Sequence, residues 1–189
     1  MVEQGGKLAG GNPARGRAEN DFYATHPDST KALLEVEEII YPALEPACGE
    51  GHIAKLLSGQ VRATDLIYRG YGEGEIDFLA NNSFEMEFNT VITNPPFNLF
   101  QEFVERALKI AKKKVIMFGK LQALEGIKRA TFLQTTPLKT VYVFKKRQQP
   151  MRNGKENDEI TGKKMSSTMA FAWFVWEIGY EGEPIIKWI

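Results

Sequence analysis

The sequence predicts an α/β fold, a seven-stranded and mostly parallel sheet with helices on both faces. Two observations carry this. From residue 28 onward short β-rich runs alternate with helix-patterned segments, and such alternation needs crossover connections that lay strands parallel. The distinctive residue clusters, at 45–51, 65, 77 and 94–97, each fall just after a predicted strand. That is where open parallel sheets bind ligands.

The elements follow in order. The first twenty residues hold five glycines and a proline without apolar periodicity, so 1–20 reads as a flexible tail before one folded domain over 21–189. "DSTKALLEVEEII" opens with capping residues and continues with helix formers. "YPALEPACGEG" is a short apolar strand running into a glycine turn, and "HIAKLL" reads as a helix. "VRATDL" is the second strand, "GEIDFL" a brief third and "FNTVITN" the fourth. "LFQEFVERALKIAKKK" places apolar residues at 99, 100, 103, 104, 107, 108, 110 and 111, a helical period. "KVIMFG" is the fifth strand, "LEGIKRATFLQ" a helix and "KTVYVFKK" the sixth strand. "MAFAWFVWEI" is the seventh; it lacks period-two alternation, which suits a strand covered on both faces.

Composition narrows the function classes. Lys plus Arg and Asp plus Glu number 24 each, so any attraction for nucleic acid must be local. One cysteine, Cys48, leaves no intrachain disulfide and fits a reducing cytoplasm. With two histidines, His26 and His52, beside it, zinc is not expected. No apolar run approaches the ~20 residues of a membrane helix, and the start lacks a signal-peptide pattern. The expectation is a cytoplasmic protein with no metal and no membrane partner.

"EPACGEG" joins the first strand to a helix. Gly49 and Gly51 would let the backbone approach a ligand near a helix N-terminus; a plain strand-to-helix turn has the same composition. It is neither the phosphate-loop pattern nor a full dinucleotide fingerprint. Asp65 ends the second strand, where a carboxylate accepts hydrogen bonds from ribose hydroxyls. Asp77 could take an adenine amino group while Phe78 packs on the base, or Phe78 is simply core.

"VITNPPFNLF" runs a strand into Asn94-Pro95-Pro96-Phe97. Prolines cannot donate to a sheet ladder, so they fix a rigid exit. With these residues together the chain resembles the class I S-adenosylmethionine-dependent methyltransferases, specifically the N6-adenine enzymes of the amino-methyltransferase group, of small bacterial or phage type. The resemblance implies a Rossmann-like single domain. "EPACGEG" is similar to the cofactor loop, "TD" at 64–65 to the ribose-binding acid, "IDFL" to the adenine-binding position and "NPPF" to the catalytic tetrapeptide. "DFYATHP" at 21–27 resembles the segment that closes over the methionine end. S-adenosylmethionine is the implied cofactor, held by Tyr23, Thr25, Glu45, Ala47, Gly49, Gly51, Asp65, Leu66, Asp77, Phe78 and Asn94. The implied catalytic residues are Asn94, Pro95, Pro96 and Phe97.

The chemistry asks for that tetrapeptide. An exocyclic amino nitrogen has its lone pair delocalised into the ring. Hydrogen bonds from its hydrogens to the Asn94 oxygen and the Pro95 carbonyl favour pyramidalisation, and rigid prolines fix both oxygens beforehand. Phe97 would stack on a base extruded from its helix.

No block large enough for a separate target-recognition domain flanks the tetrapeptide. What remains is a basic loop over 145–168, and the stretch "FKKRQQPMRNGKENDEITGKKMSS" (144–167) holds seven Lys or Arg against three acidic residues. Lys145, Lys146, Arg147, Arg152, Lys155, Lys163 and Lys164 would contact phosphates; a solvated loop is the alternative. DNA is the favoured partner and RNA the second, with a partner subunit for target recognition a further option. A protein glutamine-N5 enzyme is a weaker reading, because those relatives usually carry Tyr where Phe97 stands; a non-catalytic subunit of the same fold is the remaining one.

Overall fold

A computed structural model describes residues 22–80, 84, 88–155, 157 and 169–189. The predicted tail, Asp21, Lys163 and Lys164 lie outside the described residues.

Among the described residues, nine strands and three α-helices follow one another in the order β1 (Tyr23–Ala24), α1 (Pro27–Leu34), β2 (Ala43–Glu45), β3 (Val61–Ala63), β4 (Thr90–Thr93), α2 (Phe100–Ile110), β5 (Lys114–Lys120), α3 (Ile127–Gln134), β6 (Leu138–Val143), β7 (Met151–Arg152), β8 (Phe171–Glu177) and β9 (Ile185–Trp188). Seven strands form one sheet in the order β3-β2-β4-β5-β8-β6-β9, and β1 pairs with β7 in a separate ribbon. Only β8 runs against its neighbours β5 and β6; the other sheet pairs are parallel.

Two apolar layers sandwich the sheet. α2 and α3 bury Phe103, Val104, Ala107, Ile110 and Leu133 against Val91, Val115, Met117 and Phe174. On the other face Leu33 of α1 and Ile53 pack on Ile92, Ile116, Phe118 and Trp173. The aromatic run in β8 is a central strand, its residues buried from Phe171 to Trp176. Its indoles find polar partners outside the ladder: Trp173 Nε1 donates to the Ser29 carbonyl (2.9 Å) and Trp176 Nε1 to Thr136 Oγ1 (2.9 Å).

Three expected elements differ. Residues 74–79, expected as the third strand, form bends and a turn; Glu75 has φ of 59° and Gly72 φ of 68°, conformations no strand tolerates. The seventh sheet position is filled instead by β9. "HIAKLL" is only a single 3₁₀ turn at Ala54–Leu56, and α1 stops at Leu34, short of the expected end. Residues 145–155 are not a plain loop either, because β7 lies among them.

Chain order places β2 between β3 and β4, so the connection reverses direction across β2. The crevice beyond the carboxyl ends of these strands is the switch point of the sheet.

Candidate functional site

A cavity of about 560 Å³ opens at that switch point, within the usual range for a small-molecule site. Its walls come from four places: residues 22–25, the turn after β2, the loops after β3, and the exit of β4. Of the residues expected to hold the cofactor, Tyr23, Thr25, Glu45, Ala47, Asp65, Leu66, Asp77, Phe78 and Asn94 all line it, as do Pro95, Pro96 and Phe97.

Gly49 and Gly51 do not. Both have positive φ, 54° and 80°, and a Cβ at either would sit 2.5 Å from an aromatic ring, Phe22 at Gly49 and Tyr71 at Gly51. These glycines make room for covering rings. The Gly49 amide donates to Asp65 Oδ2 at 2.7 Å, tying the turn after β2 to the end of β3.

Asp65 is heavily engaged. Besides Gly49, its Oδ1 accepts from the Ile67 amide (2.9 Å) and from Arg69 Nη1 (3.2 Å). Arg69 in turn lies 4.4 Å from the centre of the Phe22 ring. Arg69, Phe22 and His52 line the cavity without having been singled out in the sequence. For Arg69 a signal existed, an opposite charge four residues after Asp65; Phe22 lies in the 21–27 segment expected to close over the cofactor, but nothing local tells which turn its ring covers.

Glu45 is buried (1% exposed), and its Oε2 accepts from the Ala54 amide at 2.8 Å. Burial pushes its carboxyl well above the ordinary glutamate value; the Ala54 bond opposes this and the Asp65 charge adds to it. Burial, with the charges of Glu45 and Asp65, likewise pushes the Cys48 thiol up to about 12, so it is a protonated wall group. Burial pulls His52 down from its ordinary value.

Asp77 folds on itself, its Oδ1 accepting from the amides of Leu79 (2.9 Å) and Ala80 (3.3 Å). Phe78 serves both alternatives left by the sequence: it is 2% exposed in the core against Phe84 and Phe103, and it lines the cavity.

At the exit of β4, Asn94 Nδ2 donates to the Tyr23 carbonyl at 2.7 Å. Only the amide nitrogen can bond a carbonyl, so this contact fixes which end of the side chain faces away. That end, Oδ1, is buried and has no hydrogen-bond partner. A buried acceptor without a donor costs free energy, and here it belongs to a cavity-lining residue. Thr25 Oγ1 is a second such atom. Phe97 is 9% exposed, tilted against Tyr23 (5.9 Å between centroids) and Phe171 (5.5 Å), with Lys120 Nζ 5.0 Å from its ring centre.

Lys145, Lys146, Arg147 and Lys155 are exposed, whereas Arg152 is half-buried within β7. Among the described residues no cluster of His, Cys, Asp or Glu could hold a metal ion, and no helix is long and apolar enough to cross a membrane.

No family model and no curated protein matches the chain. Solved structures do. A structure described as conversion of a disulfide bond into a thioacetal group during echinomycin biosynthesis matches with a TM-score of 0.55 at 14% identity, over 84% of each chain. The 23S rRNA methyltransferase ErmE matches with a TM-score of 0.54 at 16% identity, over 85% of this chain and 73% of that one. A type I restriction-modification methyltransferase subunit from Streptococcus thermophilus matches with a TM-score of 0.54 at 12% identity. That match covers 87% of this chain but only 47% of the subunit. At these identities the likeness is one of fold: the Rossmann-like α/β architecture with its seven-stranded, mostly parallel sheet.

Proposed function

We infer that this chain transfers a methyl group from S-adenosylmethionine to the exocyclic N6 nitrogen of adenine, with DNA as the leading substrate and RNA the second. The observation that carries the reading is the side chain of Asn94, a cavity-lining residue whose amide nitrogen is tied to the Tyr23 carbonyl and whose oxygen is left buried without a partner.

The donor set fits the cofactor. A carboxylate at Asp65 suits ribose hydroxyls, Thr25 Oγ1 is a buried hydroxyl without a partner on a cavity-lining residue, and the walls are otherwise mostly apolar, as small-molecule sites are. When bound, S-adenosylmethionine supplies an electrophilic methyl on a sulfonium, so the protein has only to activate and aim the nucleophile. Asn94 Oδ1 accepts a hydrogen bond from the adenine amino group, drawing its lone pair out of conjugation. Pro95 and Pro96 hold that oxygen without reorganisation, which is where such preorganised acceptors gain their effect. Phe97 stacks on the base. Asn94 takes no proton; the amino proton leaves to solvent after transfer.

The names of two chains of like fold, ErmE and the restriction-modification subunit, support nucleic acid as substrate class. The exposed Lys145, Lys146, Arg147 and Lys155 suit phosphate contact, while recognition of a particular sequence would fall to a partner subunit.

The test is incubation with methyl-labelled S-adenosylmethionine and separate pools of duplex DNA, single-stranded DNA, structured RNA and protein. Label on N6 of adenine in a nucleic-acid pool is expected. Asn94→Ala should bind cofactor normally yet transfer at least ~100-fold more slowly. Label confined to protein overturns the reading.

A further inference from the structure

The Tyr23 carbonyl decides how the Asn94 amide points, so whatever fixes Tyr23 fixes the acceptor. Tyr23 belongs to a ribbon of two residues on each side, in which Tyr23 faces Arg152 and Ala24 faces Met151. In antiparallel pairs, hydrogen-bonded and non-hydrogen-bonded positions alternate. The Asn153 amide donates to the Phe22 carbonyl at 3.1 Å, which makes Phe22 and Asn153 a bonded pair. Tyr23 and Arg152 are therefore a non-bonded pair, and the peptide groups of Tyr23 face away from β7, towards Asn94. Sliding β7 by one residue would turn the Tyr23 carbonyl to β7 and leave the Asn94 amide without its anchor.

The Asn153 amide that bonds Phe22 is itself held by a tight turn. β7 ends in a turn at Asn153-Gly154 with φ of 50° and 73°, closed by a hydrogen bond from the Lys155 amide to the Arg152 carbonyl at 3.0 Å. Positive φ at both central residues is the type I′ hairpin geometry, and Asn-Gly is its preferred sequence. The turn also rests on the wall of the β2 turn: a Cβ on Gly154 would lie 2.7 Å from Glu50 Oε2. Met151, 5% exposed, anchors the other end.

We propose that the Asn153-Gly154 turn is a positioning element for Asn94: by holding the Asn153 amide against the Phe22 carbonyl it keeps β1 seated on β7, aims the Tyr23 carbonyl and so presents Asn94 Oδ1 to the substrate amino group. The chemical consequence rests on the function inferred above; the orientation of the amide does not.

Two variants separate the cases. Gly154→Val forces a β-branched residue into positive φ and into Glu50, whereas Asn153→Gly keeps the turn. In protein labelled with ¹⁵N at asparagine, the Asn94 side-chain amide is identified by its loss in Asn94→Ala, and its hydrogen exchange with solvent is followed. Wild type and Asn153→Gly should exchange alike. Gly154→Val should exchange at least about tenfold faster, with single-turnover methyl transfer falling by a similar factor at saturating cofactor and nucleic acid. Should Gly154→Val fold poorly, Gly154→Ala strains the turn less and should give an intermediate rate. If the exchange pattern appears but no protein transfers methyl, the positioning stands and the inferred function fails. An Asn94 amide that exchanges at the wild-type rate in folded Gly154 variants overturns the proposal.

Discussion

Arg69 holds the carboxylate of Asp65 across one turn of the loop after β3, Nη1 to Oδ1 at 3.2 Å, with both side chains mostly shielded from solvent. Together with the amides of Ile67 and Gly49 this occupies three of the roughly four acceptor positions of a carboxylate. A ribose presenting two hydroxyls needs one more than remains, so Arg69 must yield. Arg69→Met should therefore tighten S-adenosylmethionine binding by about 1 kcal/mol, the net worth of one hydrogen bond. Asp65→Ala should weaken it by ~1.5–3 kcal/mol, and the gain from Arg69→Met should vanish in that background because the two residues are in contact. Calorimetry on the four proteins of this cycle checks both expectations; tighter binding by Arg69→Met without Asp65 would remove Asp65 from the ribose.

Glu45 gives a pH dependence of stability. Its folded-state pKa is raised by burial, so from the ordinary glutamate value upward to the folded value the native state keeps a proton that the unfolded chain releases. Stability is complete below that window, falls as pH rises through it and is flat above. Glu45→Gln keeps an acceptor for the Ala54 amide and should be more stable than wild type at neutral pH. Urea unfolding from pH 4 to pH 8 would show the wild-type slope, and its loss in the variant. A parallel fall in both proteins would assign the slope to other groups.

Phe97 combines two roles that Ala would confound. Truncation of so buried a ring costs ~3–5 kcal/mol of stability on its own. Phe97→Leu largely keeps the volume and should cost less than ~1.5 kcal/mol, while loss of the aromatic face should weaken nucleic-acid binding by ~1–3 kcal/mol. Steady-state kinetics should accordingly show a raised KM for nucleic acid with the protein still folded. An unchanged KM would leave Phe97 as packing between Tyr23 and Phe171.

The exposed cations after β6 should appear in the salt dependence of binding. Replacing Lys145, Lys146 and Arg147 with Ser, while sparing Arg152 for its place in the ribbon, should flatten the dependence of log K on log salt. The change should reach ~0.9 for each duplex phosphate that is no longer neutralised, or ~0.7 on single strands. Cofactor affinity should stay as it is. Salt titrations on duplex DNA, single-stranded DNA and structured RNA measure this, and a slope equal to that of the wild type on all three would mean the segment is only solvated.

The sequence reveals those parts of the fold whose signal is local. β4, β5 and β8 are apolar runs, and α2 shows its buried face at Phe103, Val104, Ala107 and Ile110. Residues 74–79 mislead because Ile76 and Phe78 alternate like a strand, yet the backbone around Glu75 turns to deliver Phe78 to the core from a loop. β9 escapes notice because its four residues are all exposed on the sheet margin, so burial leaves no pattern in them. At the site, Asn94 and the residues after β2 and β3 are legible because strand ends mark them. The Arg69 clamp on Asp65 leaves only the weak signal of an opposite charge four residues on, and the Tyr23 carbonyl under Asn94 leaves none, since a backbone acceptor carries no side-chain signature and its partner lies far along the chain.

The pairing of residue 23 with residue 152 also sets an order in time. Residues 22–25 leave the ribosome before any strand of the main sheet, but the strand that holds them follows β6. Contacts this distant in sequence close late, because the loop entropy must be met first. A nascent chain ending before Met151 would carry the residues of β2, β3 and β4 but neither β7 nor the central β8, and its Tyr23 carbonyl would lack the pairing that aims it at Asn94. The site is thus silent until the ribbon closes, and in refolding experiments methyl transfer should return after the sheet has regained its circular dichroism.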